Sequence, residues 1–232
     1  MGGLGKRVLF DNQLREPQQA EKFQAAARQY GVAVPSMAMS GFFAQSFLTR
    51  DNYQDLLKDC FQTMKLFGSK VAFLPLGGSG KDWQQEGCAA YQQMVSRLRT
   101  AGEMAKQEGI TIGIRTGMGA KFDKKLLKKV GSSQIKVYYN FQDAADHHRD
   151  ICKELRKLGA QRIVQIHVSN TDSVNLQEDP EINLPKIRKT LDKMKWSGWL
   201  VVERSRDVKR VRDVKYNFGR NIAYLKQVFQ ER

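Results

Sequence analysis

The sequence predicts an α/β fold on a parallel sheet, and three observations predict it. Short apolar runs alternate with longer segments of helical spacing along most of the 232 residues. The joints between them are a few residues long, as in βαβ units. The runs are apolar throughout, as in strands covered on both faces. The stretch Gly198-Trp199-Leu200-Val201-Val202-Glu203-Arg204-Ser205 is the clearest case: a buried run with a carboxylate at its carboxyl end. Parallel sheets place their chemistry at that end.

Gly2–Leu14 reads as irregular, with a possible short strand over Arg7–Phe10. Pro17–Tyr30 is helical, with Ala20, Phe23 and Ala27 on one face and Gly31 as terminator. Val32–Met39 is a strand. The spacing of Leu56, Leu57, Cys60, Phe61, Met64 and Phe67 predicts a helix that stops at Gly68. Val71–Leu76 is a strand, and Glu86–Glu108 a helix stopped by Gly109. Ile110–Ile114, Ile135–Phe141, Arg162–His167 and Trp199–Glu203 are further strands. Between and after them lie helices over Phe122–Val130, Ala144–Leu158, Leu184–Met194 and Asp213–Phe229. The last should turn Phe218, Ile222, Leu225 and Phe229 inward. With no linker or composition shift, residues 1–232 read as a single domain. Strands ending near Met39, Leu76, Thr116, Phe141, His167 and Glu203 make six. A (β/α)8 TIM-barrel needs eight; either Arg7–Phe10 is a poor strand, or such a barrel is incomplete at the N-terminus and lacks its first one or two βα units.

The composition narrows the function. Lys+Arg 39 against Asp+Glu 24 gives a formal charge of +15. That suits an anionic partner or a solvated basic exterior, but the excess is spread over several helices and forms no nucleic-acid arm. Cys60, Cys88 and Cys152 make neither a disulfide framework nor a zinc spacing. No apolar run reaches the length of a membrane span, and the first residues lack the apolar core of a signal peptide. The expected location is cytoplasmic.

The strand ends carry the candidate chemistry. Arg115 follows Ile112-Gly113-Ile114, and Asn140 follows Val137-Tyr138-Tyr139 with Asp143 three residues on. His167 follows Ile163–Ile166 with Asn170 three residues on, and Glu203 follows Leu200-Val201-Val202. Each alone has a bland reading: a rim ion pair, a hydrogen-bonded core histidine, a turn cap. Their repetition at equivalent places points to one ring. Gly77-Gly78-Ser79-Gly80 and Gly117–Lys121 could cradle an anion, with Lys121 as a contact, or serve as plain loops. Arg204-Ser205-Arg206 lies where barrels bind phosphate. Trp83, in a strand-to-helix loop, is a candidate to stack on a sugar ring; Trp196 and Trp199 read as packing. His147 and His148 read as surface residues.

These segments resemble the sugar phosphate isomerase/epimerase family of xylose-isomerase-like TIM barrels. Ile182–Ile187 with Gly198–Glu203 is similar to the family's closing helix and G-hydrophobic-E strand. Ile166–Asn170 is similar to its H-x-K-D element, Asn140–Ala144 to its D-x-x-H-A element, and Ile112–Thr116 to its G-hydrophobic-E-N strand. The resemblance implies a divalent ion held by Glu, Asp, His and Glu. Here those positions read Arg115, Asn140, His167 and Glu203. A guanidinium offers only donors and cannot ligate.

No cofactor is therefore expected; a divalent metal (Mg, Mn or Zn), if bound, would use His167, Glu203 and Asn140. The implied function is a sugar isomerase or epimerase-like activity on a carbohydrate or keto-sugar by proton transfer, with altered or lost metal dependence. Glu203 would be the base, His167 the proton donor or orienter and Arg115 the substitute cation. Asn140, Asp143, Asn170, Lys121, Arg204 and Trp83 would contact substrate. The alternatives are a non-catalytic sugar-binding or partner protein on the same barrel and an endonuclease IV-like enzyme, the latter disfavoured because His147, His148 and His167 are too few for a three-zinc centre. The expected partner is a small-molecule carbohydrate, with no specific nucleic acid. A homo-oligomer could cover an open barrel seam.

Overall fold

A computed structural model describes residues 11–76 and 83–231. The strand expected over Arg7–Phe10 and the Gly77–Gly80 loop lie outside the described residues. By its internal contacts the chain forms two compact units. One comprises residues up to Thr116 with Lys125–Lys136, and the other Gly117–Lys124 with Val137 onward.

The first unit runs α1 (Pro17–Gln29), β1 (Ser36–Ala38), α2 (Gly41–Ala44), α3 (Tyr53–Phe67), β2 (Val71–Pro75), α4 (Ala89–Gln107) and β3 (Thr111–Arg115). Its strands pair in parallel, β1 with β2 and β2 with β3, and Pro75 stands opposite Arg115. Every residue of β2 is buried, as its unbroken apolar run requires. Leu57, Phe61 and Met64 of α3 and Met94, Leu98 and Ala101 of α4 supply the core. Gly68 ends α3 in the left-handed conformation at φ 65°, returning its amide to Lys65 and Met64 carbonyls. α4 starts three residues later than the spacing of Glu86–Glu108 suggests, because the Cys88 sulfur caps it by accepting from the Tyr91 amide.

Of the helix α5 (Ala120–Val130), the residues up to Lys124 belong to the second unit and those from Lys125 to the first; the chain re-enters the second within β4 (Ile135–Asn140). There follow α6 (Phe141–Ala145), α7 (Ile151–Leu158), β5 (Ile163–His167), α8 (Leu184–Lys193), β6 (Trp199–Val201) and α9 (Val214–Phe229). β4 pairs with β5 and β5 with β6, again in parallel. A register shift between Val137 and Tyr138 sets Asn140 opposite His167, and His167 stands opposite Val201. Three strand ends thus meet at one level.

Three expectations change here. The run expected as a buried strand over Trp199–Glu203 is a strand only to Val201, with Trp199 exposed and Leu200 and Val201 half-buried. Ala144–Leu158 is two helices, not one. Asn140 caps α6 by accepting from the Gln142 amide, Asp150 caps α7 by accepting from Lys153, and His148 between them takes φ 51°. α9 is rotated from its expected face: Asn217, Asn221 and Leu225 are buried, whereas Ile222 is 44% exposed.

Candidate functional site

Three of the four strand-end residues come together, and all lie in the second unit. Register brings Asn140 and His167 side by side, 3.4 Å apart from amide nitrogen to Nδ1. Glu203, just past the end of β6, places Oε2 3.6 Å from the same Nδ1. Asn140 and His167 are buried, while the Glu203 side chain is 44% exposed. The His167 ring leans on Tyr138, centroids 4.4 Å apart at 55°.

The orientation of the Asn140 amide is fixed by its cap. Its oxygen accepts the Gln142 N–H at 2.8 Å, so the NH2 end faces His167. Neutral His167 with an unprotonated Nδ1 takes that N–H. Protonated at Nδ1, it turns a cation toward Glu203. The same ring nitrogen thus faces the Asn140 amide when it is bare and the Glu203 carboxylate when it carries a proton.

The loops behind the pair are stitched by buried polar groups that the sequence reading did not single out. Ser205, fully buried at φ 64°, accepts the Asn170 amide on its hydroxyl at 2.9 Å. Its carbonyl accepts from Asn175 at 3.2 Å and Asn221 at 2.8 Å. Asn217 accepts from Asn175 and from the Asp207 amide, at 3.0 and 2.8 Å. Asp172 takes Nε and Nη2 of Arg206 at 3.0 and 2.5 Å, and this hydrogen-bonded guanidinium holds its carboxyl below the usual carboxylate range. The visible signal was the i,i+4 spacing of Asn217 and Asn221, which puts two amides on one face of the helix.

A second cluster centres on Arg149. Its Nη2 donates to the Gly117 and Asp143 carbonyls, and Glu154, 3.6 Å from its Nε, accepts the Ala120 amide at 2.7 Å. Nearby charge, Glu154 foremost, and above all burial raise the Tyr139 hydroxyl well above its ordinary range.

The remaining candidates take other places. Arg115 ends β3 in the first unit, 6.0 Å from the Phe43 ring centroid. Asn170 gives its amide to Glu181 at 2.7 Å and takes the Thr171 N–H on its oxygen. Asp143 lies in the first turn of α6, while Lys121 and Arg204 are exposed. Trp83 is fully buried, so the open ring face that stacking on a sugar requires is not on offer. Among the described residues no helix is long and apolar enough to cross a membrane.

Comparison with known proteins gives a consistent picture. A family model described as xylose isomerase-like TIM barrel matches residues 6–228. Inosose dehydratase from Mesomycoplasma hyopneumoniae is 23% identical, over 93% of this chain and 88% of its own. Among solved structures, D-psicose 3-epimerase in the presence of D-fructose matches with a TM-score of 0.72 at 12% identity, over 91% of this chain and 83% of its own. A sugar phosphate isomerase/epimerase from Parabacteroides distasonis matches with 0.71 at 15% identity, over 89% and 75%. The 3-keto-D-glucoside 4-epimerase from E. coli matches with 0.71 at 11%, over 90% and 85%. With six parallel strands among the described residues, ordered along the sequence, and a family model spanning nearly all of the chain, the chain belongs to the xylose isomerase-like TIM barrel family.

Proposed function

We propose that the chain moves a proton on the carbon beside the carbonyl of a keto-sugar or related polyol. The observation that carries this is the Asn140–His167–Glu203 group. It pairs a solvent-reaching carboxylate with a buried imidazole whose Nδ1 faces it. The names of the relatives fit: epimerising a centre next to a ketone and dehydrating an inosose both begin with loss of such a proton.

Glu203 takes the proton from carbon, and the electron pair moves onto the carbonyl oxygen. His167, when protonated, supplies the positive charge beside the carboxylate. Return of the proton to the same face gives exchange, and delivery of a proton to the opposite face gives inversion; expulsion of the hydroxyl on the next carbon, which takes the His167 proton and leaves as water, gives dehydration.

A divalent ion fits these residues poorly. It would find one imidazole and one carboxylate, and the Asn140 oxygen is committed to a helix cap. Among the described residues no group of three or more His, Cys, Asp or Glu is placed to hold a metal. Hard cations need more oxygen donors than this, and no step here is routed through one.

The test is proton exchange in D2O, followed by NMR, with D-psicose, D-fructose, D-tagatose, a 3-keto-glucoside and an inosose, with and without chelator. Deuterium should enter beside the carbonyl of at least one of these, insensitive to chelator. Glu203→Gln should slow this by about 100-fold or more. An unchanged rate in that variant overturns the proposal. Saturable binding without exchange would assign the site to a binding protein instead.

A further inference from the structure

Glu203 is an exposed carboxylate whose placement comes from its backbone. On one side it is held by β6, where Val201 is registered against His167. On the other side, two residues on, lies Ser205. This residue is not glycine yet sits in the left-handed region at φ 64°, a conformation that L side chains rarely adopt unless surroundings impose it.

The surroundings here are specific. The Ser205 carbonyl receives two amide N–H groups, from Asn175 and Asn221, and its hydroxyl receives the Asn170 amide. Asn221 also accepts the Leu176 amide at 2.9 Å. Asn217, one helical turn earlier, bonds Asn175 and the Asp207 amide, and its own NH2 reaches the Arg210 and Asp213 carbonyls at 2.7 and 2.9 Å. Asn175, Ser205, Asn217 and Asn221 are at most 2% exposed. α9 thus spends two inward positions on amides that an apolar core would fill with leucine. A fully satisfied buried network of this kind fixes a single arrangement.

We infer that Asn217 and Asn221, acting through Ser205, are positioning residues that hold the Glu203 carboxylate against His167. The inference rests on the reading of Glu203 and His167 as the working pair. It adds that the exactness of their contact is set from α9.

The test reads the contact itself and needs no substrate. Imidazole signals are recorded by NMR at one fixed pH on protein labelled at histidine. His167→Gln identifies the His167 signals among the three histidines. Glu203→Gln then defines where they fall once the carboxylate is gone. Asn221→Ala and Asn217→Ala should move the His167 signals toward that position, leaving those of His147 and His148 in place. Two milder variants guard against loss of the fold. Asn221→Asp keeps the acceptor for Leu176 and removes the donor to Ser205, and should reproduce the shift. Ser205→Gly keeps the backbone turn and removes only the hydroxyl acceptor, and should give a smaller one. His167 signals at the wild-type position in folded Asn221→Asp and Asn217→Ala, with lowered melting temperature alone, would reduce the network to structural support and overturn the inference. If Glu203→Gln itself leaves His167 unmoved, the pair is not in contact, and the reading of the site falls along with the inference.

Discussion

Asp172 and Arg206 show how single residues set the behaviour of a loop. The carboxylate takes two guanidinium N–H groups and the Arg206 amide, and the guanidinium, with burial opposing it, depresses its pKa. A depressed carboxyl contributes stability above its unfolded value, about 3.9, and loses it as pH falls through the folded value. Asp172→Asn should therefore cost on the order of 1 kcal/mol at neutral pH, given that both side chains are partly exposed. The difference from wild type should vanish in strong acid; urea melts at the two pH values would check both. Cys60 behaves oppositely, because burial pushes its thiol up to about 12. It should resist a thiol reagent at mildly alkaline pH until the protein is unfolded. At this scale the sequence showed that Arg115, Asn140 and His167 end strands, since an apolar run followed by one polar residue is a local pattern; Glu203 lies two residues past the end of β6. It could not show that Asn140 points its amide N–H, and not its oxygen, at His167, because that depends on the cap taken by Gln142. Nor could it show that Asn170 is bound to Glu181 and Trp83 enclosed, which are consequences of packing between distant segments.

Helices and their joints set the next level. Gly119 takes φ 87°, and a Cβ there would lie 2.9 Å from the Glu154 carboxylate and 3.1 Å from Arg149 Nε. Gly119→Ala should thus lose about 1–3 kcal/mol and loosen the loop that Arg149 holds, seen as faster amide exchange at Gly117–Lys121. Gly102 lies inside α4, where a Cβ would meet the Ser132 hydroxyl at 2.4 Å. Although alanine is the better helix former, Gly102→Ala should destabilise by about 1–3 kcal/mol through overpacking, measured by thermal melting. Helix existence was legible from apolar spacing in α3, α4 and α8. Two features were not. The break between α6 and α7 arises from competing side-chain caps at Asn140 and Asp150, which a continuous helical pattern through Ala144–Leu158 conceals. The rotation of α9 arises because buried amides find partners in the loops after β5 and β6, and that satisfaction outweighs the exposure of Ile222.

Over the whole molecule, the strand sequence could be read because each run is short, apolar and bounded by turns. The division into two compact units could not, because it depends on contacts between residues far apart in sequence. Net charge is a further property of the entire chain. At +15, weak association with polyanions is expected. It should be indifferent to base sequence and fall by orders of magnitude between about 50 and 200 mM salt. A gel shift with abasic and intact duplex DNA across that range would check it. Equal shifts and no cleavage are expected, in spite of the matching fold of an AP endonuclease, family 2, from Brucella melitensis.

The helix cap at Asn140 also bears on ancestry. An A-to-G transition at the first codon position converts asparagine to aspartate, and the carboxylate so gained would still cap α6 through the Gln142 amide. The fold would thus tolerate passage in either direction between an amide and an acid at this strand end. A lineage could cross between the two chemistries without first breaking the scaffold.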